Sequence, residues 1–165
     1  MKVREATKDD IPAIAKVTVD TWKSAYRGLI DPDYLDNLSY ASKEASWQEF
    51  AFGSAFVYAA EDEAGNIIGF AAAGPSRETD PVFHGELYAF YIYENYQRSG
   101  IGTALFNAVQ QHFKDSGTRS MVVWVLSGSP YRRFYEKHGG MLLETIPLEM
   151  DGLTNNITAY GWMEL

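Results

Sequence analysis

With 165 residues, 46% of them hydrophobic, the chain can bury a full core as one domain, 1–165, and the absence of cysteine excludes disulfides and cysteine-based metal or nucleophilic chemistry. A net charge of −8 disfavours general nucleic-acid binding, which relies on a basic surface, and mildly favours cationic partners. No apolar stretch approaches the ~18 residues of a membrane span, and Met1 to Glu5 carries no apolar leader, so a cytoplasmic protein with no membrane partner is expected.

Val3 to Ala6 reads as a short strand. Thr7 and Asp10 resemble a capping pair, and Ile11, Ile14, Ala15, Thr18 and Trp22 fall on one face at helical spacing, which predicts a helix to about Tyr26. Asp31-Pro32 opens a second helix, with Asp as N-cap and Pro in the first position, and Ala45, Trp47 and Phe50 place a third over Ser42 to Phe50. Ala55 to Glu61 and Asn66 to Ala73 are strand-like and joined by a polar turn in which Gly65 permits positive φ, so they should pair antiparallel. Gly74 to Pro81 is irregular and polar, a surface loop bordering the start of the next strand.

The stretch Glu86 to Leu105 combines a strand, a glycine turn and a helix. In the strand Leu87, Ala89, Tyr91 and Tyr93 alternate with Tyr88, Phe90 and Ile92, and neither set is polar, which predicts burial on both faces. Ala104, Leu105, Ala108, Val109 and His112 form a helical stripe that ends near Ser116-Gly117, and Met121 to Leu126 is another buried strand. A strand, helix and strand so linked imply a right-handed crossover and a parallel pair. Ser127 to Pro130 turns the chain into a helix over Tyr131 to His138, and Met141 to Glu149 with Asn155 to Met163 form a hairpin across Asp151-Gly152. The elements define a mixed α/β class: three layers around one mixed sheet of about seven strands.

A helix start leaves backbone N–H groups unpaired and carries the positive end of the helix dipole, so this strand, turn and helix suit an anion such as a phosphate. Gly100 and Gly102 let the main chain approach it. A dinucleotide fingerprint would need a glycine where Leu105 stands, and a P-loop would need a lysine, which disfavours a nucleotide-binding domain. What remains is Gln97-x-x-Gly100-x-Gly102, followed downstream by Trp124-Val125-Leu126 and Phe134-Tyr135-Glu136-Lys137-His138-Gly139. These segments resemble the GNAT superfamily of acetyl-CoA-dependent N-acetyltransferases.

The resemblance implies acetyl-CoA as cosubstrate and a central strand that carries a bulge and splays from its parallel neighbour; three scattered histidines without ligand-like spacing give no metal site. The pyrophosphate would sit on the N–H groups of Arg98, Ser99, Gly100, Ile101, Gly102 and Thr103, with the Gln97 side chain and the Ser99 and Thr103 hydroxyls as further donors. Phe90 and Ile92 would offer main-chain bonds to the pantetheine arm. Ser129 stands where the family commonly has asparagine, and Tyr131 where a small residue is usual; Arg132 and Arg133 either help neutralise the phosphates or decorate a helix. Tyr135 takes the place of the family's tyrosine acid. Glu86 takes that of a glutamate base, which burial beside Tyr88 and Trp124 would tune for proton abstraction, unless it is a strand-start surface residue or water relays the proton. His84 and His138 are rivals for acid–base work.

The expected acceptor is a primary amine of a small molecule or peptide, in a pocket drawn from Trp22, Tyr26, Tyr88 and Trp124, because aromatic faces and a carboxylate stabilise an ammonium. Trp22 and Tyr26 can equally be packing aromatics. A non-catalytic acyl-CoA-binding or sensing module would share the glycine turn without needing Tyr135 or Glu86. Oligomeric state stays open, a homodimer included.

Overall fold

A bulge in the central strand positions everything that follows. The computed structural model describes residues 1–50, 53–150 and 153–165. Its strands are β1 (Lys2–Glu5), β2 (Phe56–Glu61), β3 (Ile67–Pro75), β4 (Gly85–Ile92), β5 (Met121–Leu126), β6 (Met141–Met150) and β7 (Leu153–Trp162), in one sheet of order β1-β2-β3-β4-β5-β7-β6. Every pairing is antiparallel except β4 with β5. The Asp151-Gly152 turn between β6 and β7 lies outside the described residues.

Helices α1 (Ile11–Ala25) and α3 (Tyr40–Phe50) cover one face of the sheet, where Ile14, Ala15, Val17 and Trp47 pack on Val57, Phe70 and Ala72. On the other face α4 (Ile101–Asp115) packs Leu105, Phe106, Val109 and Phe113 onto Ala71, Ala73, Leu87 and Val123, and α5 (Arg132–Lys137) adds Tyr135. The amphipathic stripes of α1 and α4, read at 3.6-residue spacing, thus each find a sheet face to bury them, while α3 is anchored through Trp47 alone. The short α2 (Pro32–Asp36) starts as its sequence suggests: the Asp31 carboxylate accepts from Asp33 N at 2.8 Å, with Pro32 in the first position.

Two local expectations change. Thr7 to Asp10 forms a 3-10 turn that precedes α1, with Thr7 N donating to the Asp10 carboxylate at 2.8 Å. Arg4 grips that carboxylate at 2.8 and 2.9 Å and Glu61 at 2.6 Å, tying β1 to β2 and to the start of α1. The third helix begins at Tyr40, two residues before Ser42.

The larger correction concerns β4. Ala72 pairs with Ala89 and Ala73 with Leu87, so Tyr88 is one extra residue on β4, a β-bulge. The inserted residue shifts the alternation: Leu87 shares the α4-side cluster with Phe90 and Ile92, while Ala89 and Tyr91 face α1 and α3. The parallel ladder to β5 covers only Gly85–Leu87 against Met121–Val123. Past that point the strands diverge, and Tyr88 to Ile92 are half-buried instead of enclosed on both faces.

Candidate active site

The divergence of β4 from β5 opens two cavities, one on each side of a common wall. The first, of about 1250 Å³, runs along the end of β4 and the start of α4 and is rimmed by Arg98, Arg132, Arg133 and Lys137. Helix α4 starts at a glycine cap, Gly100, with φ +87° and no side-chain capping bond. Its first closing hydrogen bond joins Ala104 N to Gly100 O at 3.1 Å. The amides of Ile101, Gly102 and Thr103 therefore have no helical acceptor. Arg98, at φ +60°, is the one non-glycine with positive φ among the described residues, and the two left-handed residues fold the turn back over the helix start.

The glycines serve different ends. A Cβ at Gly100 would meet nothing within 4 Å, so only its backbone conformation calls for glycine. A Cβ at Gly102 would sit 3.3 Å from both Ile92 Cδ1 and Phe134 Cε2, so Gly102 lets α4 close onto β4 and α5 as well as baring its amide.

The side-chain donors expected here already have hydrogen-bond partners within the protein. The Gln97 amide spends both hydrogens within the protein, on Ile92 O at 2.9 Å and on the Tyr131 hydroxyl oxygen at 2.8 Å. Ser99 donates to Tyr96 O and, like the core residue Ile101, does not line the cavity. Thr103 Oγ1 lies 3.1 Å from His138 Nε2, whose Nδ1–H donates to Phe134 O at 2.8 Å. Ser129 is buried at the cavity wall, its hydroxyl accepting from Tyr131 N at 3.2 Å. Arg132 braces Tyr160 at 3.0 Å and Ser127 O at 2.8 Å, whereas the exposed Arg133 is free to meet an anion.

Along β4, Tyr93 N donates to Ile68 O at 2.9 Å, which fixes the phase of the ladder. By strand alternation the N–H and C=O groups of Phe90 and Ile92 point away from β3, toward the edge that β5 has left. Gln97 occupies the Ile92 carbonyl; the neighbouring strand groups face the cavity.

The second cavity, about 940 Å³, brings together Trp22, Tyr26, Tyr88, Trp124 and Glu86. Trp22 and Tyr26 meet edge to face with centroids 5.1 Å apart, and burial pushes the Tyr26 phenol pKa up. Glu86 is buried, and it has an unexpected partner. Arg77 donates to it from its backbone N at 3.0 Å and its side chain at 3.0 and 2.6 Å, with the guanidinium 5.0 Å above the Tyr88 ring. Tyr88 in turn donates to Pro75 O, closing the loop over the carboxylate.

Sequence reasoning missed Arg77 and Glu144, and noted Tyr131 only as a departure. Arg77 had a faint signal, as the one basic residue in the 74–81 loop. Glu144 had none. It reaches this cavity because a second bulge, at Leu143 (Leu142 pairs with Tyr160 and Glu144 with Ala159), puts Glu144 in phase with Ile146 and Leu148. His84 is exposed and lines neither cavity. Among the described residues no cluster is placed to hold a metal, and no helix is long and apolar enough to cross a membrane.

Phe90, Tyr131 and Tyr135 line both cavities and form the seam between them. Tyr135 is 4% exposed, packed among Phe134, Tyr160, Trp162 and Phe90 with centroids 5.6 to 6.4 Å away. Burial raises its pKa above the ordinary tyrosine value, so its hydroxyl keeps its proton.

A mixed sheet splayed at one parallel pair, with an uncapped helix start beside the opening, is the architecture of acyl-CoA-dependent acetyltransferases. Residues 19–140 match the Acetyltransferase (GNAT) family, and the chain belongs to that family. It is 37% identical over 163 residues to the uncharacterized N-acetyltransferase YuaI of Bacillus subtilis, covering 99% of this chain and 93% of that protein. It is 30% identical to an aminoglycoside N(6')-acetyltransferase type 1 of Stenotrophomonas maltophilia, covering 72% and 71%. Among solved structures, a GCN5-related N-acetyltransferase from Rhodopseudomonas palustris superposes with a TM-score of 0.78 at 17% identity, covering 99% and 95%. PaiA N-acetyltransferase from Thermoplasma acidophilum, in complex with coenzyme A, superposes with 0.70 at 18% identity, covering 98% of each chain. The protein is an acetyltransferase.

Proposed function

We propose that this acetyltransferase passes the acetyl group of acetyl-CoA to a primary amine of a cationic small molecule or peptide, across the seam of Phe90, Tyr131 and Tyr135. The observation that carries the proposal is that a buried, protonated phenol lies in the wall shared by a cation-rimmed cavity and an acidic aromatic one.

The donor cavity fits acetyl-CoA. The unpaired amides at the start of α4 take the pyrophosphate, Arg98, Arg133 and Lys137 add charge, and the β4 edge takes the pantetheine arm. Acetyl-CoA supplies an activated acyl group and a thiol leaving group. Tyr135 holds its proton at the hydroxyl, where the departing sulfur collects it. A main-chain N–H on the bulged, splayed part of β4 is the donor for the thioester oxygen.

The acceptor cavity fits a cation. Glu78, Asp80, Glu86 and Glu144 line it against Arg77 alone, and Trp22, Tyr26, Tyr88 and Trp124 present ring faces. Glu86 is the buried carboxylate of this lining and the base for the ammonium proton. Arg77 yields to the incoming cation, whose charge replaces that of the guanidinium.

Thiol release from acetyl-CoA in the presence of a library of amines tests this reading. Amine-dependent release above hydrolysis is expected, and Glu86→Gln should shift its pH dependence. Tight coenzyme binding with hydrolysis alone would leave a binding module, and an unchanged pH–rate profile in Glu86→Gln would remove Glu86 as the base.

A further inference from the structure

The three rings of the seam are held in different ways. Tyr135 is locked on four sides by aromatic neighbours, and Phe90 packs on Phe134 at 5.2 Å and on Tyr135 at 6.4 Å. Tyr131 has no ring partner among the described residues and is half-buried, one residue before α5. Its side chain is tethered through its hydroxyl, which accepts from Gln97 Nε2 at 2.8 Å. The same Gln97 amide holds Ile92 O at 2.9 Å, so the glycine turn, the end of β4 and this ring are joined by one side chain.

We infer that Tyr131 is the specificity-determining wall for the acyl group: tethered by Gln97, its ring closes the seam around a two-carbon acyl chain and excludes longer ones. The inference rests on the donor-site reading above. A thioester carbonyl reached by an amine from one cavity while its coenzyme lies in the other must sit where the cavities meet, and there the acyl substituent is enclosed by Phe90, Tyr131 and Tyr135. Of the three rings, Tyr131 is the one whose movement changes the space for further methylenes at the seam, since Phe90 and Tyr135 are packed in place. A methylene that a pocket cannot accommodate is discriminated by roughly 10- to 200-fold. The tether matters as much as the ring, because an untethered tyrosine would rotate aside at little cost.

Calorimetric titration of the whole protein with acetyl-, propionyl-, butyryl- and hexanoyl-CoA tests the gate without any acceptor, so it stands apart from the choice of amine. The wild type should bind acetyl-CoA at least about tenfold more tightly than butyryl-CoA. Tyr131→Ala should erase most of that ratio. Gln97→Leu, which keeps the ring and cuts the tether, should reduce it in part, and Tyr131→Trp should increase it. Thermal unfolding monitored in parallel identifies any variant that does not fold, and the remaining two then decide. Equal affinity across the series in the wild type, or an unchanged ratio in the folded variants, overturns the gate while leaving the donor site intact. Absence of binding by every acyl-CoA overturns the donor-site reading and the gate with it.

Discussion

The donor cavity is rimmed by Arg98, Arg132, Arg133 and Lys137 against Glu94 and Glu136, whereas the acceptor cavity carries Glu78, Asp80, Glu86 and Glu144 against Arg77. On a chain of net charge −8 the donor side is a local reversal of sign, and the acceptor side concentrates the prevailing one. They differ also in construction. The donor side uses main-chain groups of one continuous strand, turn and helix. The acceptor side uses side chains from α1, the loop before β4, β4 itself, β5 and β6, elements spread over most of the sequence. On the proposed reading, the main-chain side binds what every acyl-CoA shares and the side-chain side selects the acceptor. The two meet at three aromatic rings, so the proposed chemistry is confined to one short stretch of wall.

The largest effect should come from that wall. Tyr135→Phe keeps the ring and its packing and removes the proton donor, so turnover should fall about 100-fold or more while coenzyme affinity stays within about twofold. Parallel measurement of kcat and of the CoA dissociation constant checks this; equal turnover at every pH would take Tyr135 out of the chemistry. Gly102→Val comes next. Its Cβ already meets Ile92 and Phe134 at 3.3 Å, and overpacking of this kind costs about 1–3 kcal/mol, so both CoA affinity and thermal stability should drop.

Gly100→Ala separates the two roles of the turn. Nothing obstructs the added methyl, but φ +87° costs an alanine about 1–2 kcal/mol, so CoA affinity should weaken about tenfold with the core undisturbed. Calorimetric binding with near-wild-type packing by spectroscopy is the expected pair of results, and wild-type affinity would place the phosphates elsewhere. The smallest effect lies far from both cavities, at Arg4. Its hydrogen bonds hold the Asp10 carboxyl below the usual carboxylate range. The stability from this contact is therefore present above about pH 4 and is lost as the pH falls through the lowered value. Arg4→Gln should cost about 1 kcal/mol near neutrality, lose less on acidification than the wild type, and leave coenzyme and acceptor binding unchanged.

Much of the donor side was legible because its parts are contiguous. Gly100 is readable from its place between strand and helix, and Tyr135 stands within a family-like segment. The internal pairing of Gln97 and Thr103 was not readable, since their partners Tyr131 and His138 are set by how the turn docks beside the two ends of α5, whereas Ser99 finds its acceptor, Tyr96 O, within the turn itself. In the fold, the strands and their order of appearance follow from alternation and turn residues, yet alternation loses phase at a bulge. Tyr88 misassigned the face of Leu87 for that reason, and Leu143 hid Glu144 in the same way. Arg77 was invisible as the partner of Glu86 because the pairing depends on how the loop folds back over β4.

The opposed charge of the two cavities is most directly tested by competition. An equimolar mixture of primary amines matched in size, carrying net positive, zero or negative charge, is incubated with acetyl-CoA and the protein, and the products are resolved by mass spectrometry. The cationic amines should dominate the acetylated products, and Glu144→Lys should shift the balance toward the neutral and anionic ones. Preferential acetylation of the anionic amines by the wild type would contradict the account.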